Sequence, residues 1–165
     1  MKKELTTSEF KQLKGIEYFD FEEDFVEENV RCIPMTVRFK MDAAGIKLKL
    51  SEWSKFSIEE RIELAVKPAA TEKEMSAYNQ YLSGIIKKYT GDEAAALAIN
   101  SNPEWADLEN IPFKLQEKAM EFDLIISTAQ WKQLTNLQRF ALLKLFRPGH
   151  ENKNFPKAIH EFGLK

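Results

Sequence analysis

One pattern of residues occurs twice in this chain, 78 positions apart, with no insertion or deletion between the copies. Ile33-Pro34 is followed, nineteen residues after the proline, by Trp53, then Phe56-Ser57, Arg61 and Leu64. Ile111-Pro112 is followed at the same spacing by Trp131, Leu134-Thr135, Arg139 and Leu142. Lys40 and Lys118 coincide, and Val37/Leu115, Ile46/Leu124, Leu48/Ile126 and Ile62/Phe140 are conservative matches. The chain has only three tryptophans and six prolines, so their joint recurrence weighs heavily. A repeated unit must bury its apolar face against something. The expectation is a single compact all-α domain over residues 1–165, with eight or nine helices in two related halves whose copies span 33–66 and 111–144. The repeat speaks to architecture and is silent on chemistry.

Composition excludes several function classes. At 165 residues the chain is long enough to bury roughly two thirds of its unfolded surface. Apolar content of 44% and twelve phenylalanines argue for a packed globule. A formal charge of −2 disfavours a partner made of nucleic acid or anionic lipid. One cysteine and two histidines leave no disulfide, thiolate zinc site or His-rich metal cage. The opening MKKELTTSEFKQLKG lacks the apolar core of a secretory signal. No run approaches the ~18 apolar residues of a membrane span. These features lead to the expectation of a cytoplasmic protein without a metal or cofactor of its own.

Capping and breaking signals divide the chain. Thr6 with Glu9 offers a capping box for a short helix stopping near Gly15. Residues 17–28, EYFDFEEDFVEE, hold seven carboxylates and no base. They read as an irregular entry to Phe21, then a helical turn with Phe21, Phe25 and Val26 docked and the acids in water. An acidic docking surface for a basic partner is the other reading. Pro34 opens a helix to about Ala44 that Gly45 ends. Residues 46–50 alternate as an extended link, and Ser51 is placed to cap the short helix of Trp53. Ser57 with Glu60, and Thr71 with Glu74, cap the next two helices, the longer running to Gly91 with Met75, Tyr78, Leu82, Ile85, Ile86 and Tyr89 as its stripe. Gly84 inside it costs about 1 kcal/mol against alanine, which would suit the close approach of another helix. An Ala-rich helix from Asp92 and a connection over 100–110 follow. The second copy repeats the programme from Pro112, ending in the very apolar NLQRFALLKLF and a short helix over 156–161 that finishes at Gly163.

Arg61 and Arg139 hold equivalent places eight residues beyond Trp53 and Trp131. That spacing suits an indole–guanidinium pair or an arginine capping a neighbour's carbonyls. Duplication favours a structural role for all four residues over a ligand site. Cys32 sits beside Arg31 just before a helix start, a setting that can activate a thiol; a buried apolar cysteine is the commoner case. If Cys32 is functional, it is read as a redox or partner-contact residue. The stretch RPGHENKNF (147–155) concentrates polar residues after the most apolar helix, where function often sits. Its plainer reading has Asn152 and Asn154 holding the turn and Glu151 pairing with Arg147. Arg31, Arg38, Lys40, Lys47 and Lys49 are candidates for one basic patch. No Gly-rich phosphate loop, nucleophile elbow or metal-ligand spacing occurs, so no residue is assigned as catalytic.

The run FEEDFVEENVRCIPMTVRFKMDAAGIKLKLSEWSKFS, with LQRFALLKLFRPGHENKNF and the terminal HEFG, resembles the nitrate-reductase-associated proteins, small bacterial and cyanobacterial proteins linked to assimilatory nitrate reductase. The likeness extends from about Phe19 to Leu164 and is densest at residues 31–53 and 137–155. It implies an accessory role toward a molybdenum-cofactor and iron–sulfur enzyme, with that reductase or its maturation machinery as partner, and it implies no catalytic residues. The family's recurrent positions correspond to Arg31, Cys32, Pro34, Arg38, Asp42, Trp53, Arg139, His150, Glu151, Asn152 and Phe155. The family's pattern carries cysteines near positions where this chain has Ala44 and Ala69, which weighs against a shared thiol-based metal delivery. Candidate contact residues are therefore Arg31, Cys32, Arg38, Arg147, His150, Glu151 and Asn152. Two other functions compete with an assembly factor: a small-ligand or cofactor carrier with a pocket between the halves lined by Arg38, Trp131, Arg139 and His150, and an enzyme using Cys32 with His150.

Overall fold

The computed structural model describes residues 7–14, 16–22 and 28–165, with side chains at all of these except Thr7, Ser8, Glu28, His150 and Glu151. The chain divides into two compact units, Met1–Asn100 and Ser101–Lys165. The first holds α1 (Thr7–Lys11), two single 3₁₀ turns (Asp20–Glu22 and Glu28–Val30), α2 (Met35–Ala44), α3 (Leu50–Trp53), α4 (Ile58–Val66) and α5 (Glu72–Thr90). The second holds a 3₁₀ turn (Glu104–Ala106), α6 (Phe113–Met120), α7 (Thr128–Gln133), α8 (Asn136–Leu145), a 3₁₀ segment (His150–Asn154) and α9 (Phe155–Glu161). The protein is all-α, and among the described residues the only β pairing is one isolated bridge.

Local chemistry sets most boundaries. Pro34 and Pro112 immediately precede α2 and α6, where a missing N–H costs nothing. Gly45 turns left-handed at φ 70°, and the Ile46 N–H closes back on the Met41 carbonyl at 3.2 Å. Asp123, at φ 56°, does the same after α6, with the Leu124 N–H 3.1 Å from the Ala119 carbonyl. Both ends are satisfied by the left-handed closure that helix C-termini commonly use. Capping boxes start α4 (Ser57, Glu60), α5 (Thr71, Glu74), α7 (Ser127, Gln130) and α8 (Thr135, Gln138). α2, α3 and α4 begin 78 residues before α6, α7 and α8 respectively.

The core of the first unit joins Val37, Met41, Ile46, Trp53, Phe56 and Leu64 to Tyr78, Leu82, Ile85 and Ile86 of α5. Each such large apolar side chain contributes about 1.5–3 kcal/mol when fully buried. α5 therefore belongs to the first unit, and the chain passes to the second after Asn100. In the second unit α8 buries Leu137, Arg139, Phe140, Ala141, Leu142, Leu143 and Leu145, as its apolar faces lead one to expect.

Several sequence expectations are corrected. The Ala-rich stretch after Asp92 is extended: the Lys47 N–H donates to the Ala95 carbonyl and the Leu97 N–H to the Gly45 carbonyl, both at 2.9 Å, around an antiparallel Ile46–Ala96 bridge. Backbone pairing with the 45–47 link outweighs alanine's helix propensity. Ser51 lies inside α3, which begins one residue earlier with Lys49 as its cap and the Glu52 carboxylate accepting the Lys49 N–H at 2.8 Å. Gly84 faces solvent, and a methyl group there would meet nothing within 4 Å among the described residues, so none of their helices approaches it. Of the acidic stretch, Glu22 is buried, contrary to a face of solvated acids. Residues 23–27, with Phe25 and Val26, lie outside the described residues, as do Thr6 and Gly15.

Candidate contact site

Each unit builds a tryptophan–arginine clamp on a 3₁₀ turn. In the first, the Trp53 indole N–H donates to the Val30 carbonyl at 2.8 Å, and Arg61 donates to the carbonyls of Asn29 at 2.8 Å and Ser54 at 3.1 Å. The Arg61 guanidinium lies 5.6 Å from the Trp53 ring centroid. Asn29 and Val30 both have positive φ, 62° and 53°. For a β-branched residue that conformation is strained by about 1–3 kcal/mol and persists only where its surroundings impose it. Trp53 and Arg61 impose it here by holding the two carbonyls of that turn.

In the second unit the Trp131 indole N–H donates to the Asp107 carbonyl at 2.7 Å, and Arg139 donates to the Trp105 carbonyl at 2.7 Å, the Trp131 carbonyl at 3.2 Å, the Leu134 carbonyl and the Asn136 side-chain oxygen. Burial lowers the pKa of both arginines, and both stay cationic at any physiological pH. The donors of Arg139 and the indole N–H of Trp131 are spent on backbone carbonyls and, for one Arg139 nitrogen, on the Asn136 side chain. Two of the four residues suggested for a carrier's pocket are thus occupied internally.

The clamp sets the course of the chain into α2. Arg31 emerges exposed, Cys32 and Ile33 are half-buried, and Pro34 is buried. The Glu22 carboxylate reaches the α2 start from thirteen residues away in sequence, accepting the Met35 N–H at 2.6 Å and the Phe19 N–H at 3.1 Å. It satisfies an otherwise orphaned helix donor and places a negative charge at the positive end of the helix. Nothing in the sequence pattern singles out Glu22 from the six other acids around it.

The five-residue basic patch is not assembled as expected. Lys40 turns inward, its ammonium donating to the Ala65 carbonyl at 2.5 Å in the last turn of α4, and burial pulls its pKa down to about 8. Tyr78 donates to the neighbouring Leu64 carbonyl at 2.7 Å, so two side chains close that helix end. Arg38 is half-buried with one guanidinium nitrogen 3.8 Å from the Met35 sulfur. Arg31, Lys47 and Lys49 stay exposed. Lys118, at the place matching Lys40, instead pairs with Glu121 at 2.7 Å.

In the 147–155 segment, Arg147, Pro148 and Gly149 are exposed. The Asn152 amide donates to the carbonyls of Leu145, Phe146 and Arg147, each at 3.2 Å, and so closes the C-terminus of α8. Asn154 is buried with neither amide atom hydrogen-bonded. The side chains of His150 and Glu151 lie outside the described residues, and with them the suggested Cys32–His150 and Glu151–Arg147 pairs. Among the described residues no group of three His, Cys, Asp or Glu is placed to hold a metal ion, and no helix is long and apolar enough to cross a membrane.

A family model described as conserved nitrate reductase-associated protein matches residues 18–162. No curated protein and no solved structure matches the chain.

Proposed function

Because the chain belongs to the conserved nitrate reductase-associated family, we propose that it is a non-enzymatic accessory factor for a molybdenum-dependent assimilatory nitrate reductase, assisting its assembly, cofactor loading or activity. The observation that carries this reading is the family match, which extends over residues 18–162 of 165. Two further features support it. The chemically capable groups that the structure describes are largely engaged in holding the fold, Arg61, Arg139, Lys40, Glu22 and Asn152 each making hydrogen bonds to backbone groups. Arg31 and Arg147 remain exposed at segment ends that rigid elements fix, the position from which loop residues commonly recognise partners.

The test is made in the host growing on nitrate. The tagged chain is expected to co-purify with the reductase, and disruption of its gene to lower reductase activity while the reductase polypeptide is still made. Failure to recover the reductase, together with undiminished activity in the disrupted strain, would reject the proposal.

A further inference from the structure

The link after α2 and the link after α6 close on their helices alike, but among the described residues only the first is paired with another backbone segment. In the first unit, residues 94–99 run antiparallel to residues 45–47, exchanging the Lys47 N–H to Ala95 carbonyl and Leu97 N–H to Gly45 carbonyl bonds at 2.9 Å. Counting 78 residues on, the matching groups are the Ile125 N–H and the Asp123 carbonyl. Among the described residues neither makes a hydrogen bond. The side chains beside this edge are exposed and apolar: Ile125 is 75% exposed and Met120 60%. An open edge with unpaired backbone groups and apolar flanks is a template for strand addition.

We propose that the edge at residues 123–125 captures an extended peptide segment of a partner protein, in the antiparallel manner in which residues 94–99 cover the first link. The occupant's chemistry follows from one difference between the links. A Cβ on Gly45 would lie 2.8 Å from Ile99 Cγ1 and 3.1 Å from the Leu97 carbonyl. Asp123 holds the matching position with a similar left-handed backbone, so its side chain meets the occupant where Ile99 passes. A β-branched apolar residue is disfavoured there, and a flexible cation that pairs with the carboxylate is favoured. The captured segment is therefore small and apolar, of the Ala-Ala-Leu-Ala type, followed by a lysine or arginine. This inference concerns the kind of segment bound and stands whichever protein supplies it.

The probes are two blocked peptides copying residues 93–100, EAAALAIN and its Ile99→Lys form EAAALAKN, titrated into the isotopically labelled full chain and followed by NMR. Saturable shifts are expected at the amides of residues 120–126, with the lysine peptide binding at least threefold tighter. Asp123→Asn, which tolerates the same backbone conformation, should abolish that preference, and Ile125→Ser should weaken both peptides while leaving the thermal midpoint unchanged. Three results would overturn the proposal: no shifts at 2 mM peptide, shifts confined to residues 45–47, or a concentration-dependent dimer whose interface is lost in Ile125→Ser, since a second copy would then cover the edge.

Discussion

The Arg139 guanidinium lies 5.8 Å from the centroid of the Trp131 ring and donates to the Trp131 carbonyl at 3.2 Å, so one arginine holds both the face and the backbone of the same tryptophan. Arg61 stands over Trp53 at 5.6 Å but is only half-buried. Removing Arg139 strands buried carbonyls, each costing about 1–3 kcal/mol. Arg139→Ala is therefore expected to lose about 3 kcal/mol or more in urea unfolding, and Arg61→Ala about half as much. Equal losses would mean that the two clamps do not differ in burial as described.

Gly84 is exposed inside α5, and no atom lies within 4 Å of an added Cβ. Gly84→Ala should stabilise the chain by about 0.5–1 kcal/mol through helix propensity and a less flexible unfolded state. A measured destabilisation would reveal a close neighbour at that face.

Leu82 and Leu142 are fully buried, one in each unit. Replacing either with alanine removes transfer energy and leaves a cavity, at a cost of about 2–5 kcal/mol. A loss under ~1 kcal/mol at both positions in equilibrium unfolding would contradict the core as drawn.

Lys40 couples stability to alkaline pH. Burial lowers its pKa to about 8, whereas the unfolded side chain titrates near ~10.4. Across that window the unfolded chain binds the extra proton, so the contribution of Lys40 to stability rises with pH from about 8 and levels off above ~10.4. Tyr78, whose pKa burial raises, acts oppositely above ~10, which confines a clean comparison to lower pH. The stability of the wild type relative to Lys40→Met should increase between pH 7.5 and 9.5. A constant difference would show that the ammonium is not desolvated.

Asn152 and Arg147 separate fold from recognition in the last polar segment. Asn152→Ala removes donors from three carbonyls at the end of α8 and should cost about 1 kcal/mol. Arg147→Ala changes an exposed side chain and should leave stability within about ±0.5 kcal/mol, while lowering recovery of the reductase in the pull-down. Normal recovery with Arg147→Ala would remove this segment from the contact surface.

Where a signal is local, the sequence alone determined the outcome. Ser57 and Thr71 cap the helices that their spacing to Glu60 and Glu74 announces, and Gly45 and Gly91 end theirs, because those bonds form within one turn of chain. The Trp and Arg pairs were legible for the same reason: eight residues across a helix–turn–helix bring the two side chains together. Tertiary structure alone decided the rest. Residues 94–99 became extended because a link some fifty positions earlier offered backbone partners. Glu22 became a buried helix cap, and Lys40 a buried donor, because distant carbonyl and amide groups needed satisfying. The open edge at residues 123–125 carries no mark in the sequence. It is visible only beside its covered counterpart, since residues 95–97 pair with the first link and, among the described residues, no backbone segment pairs with the second.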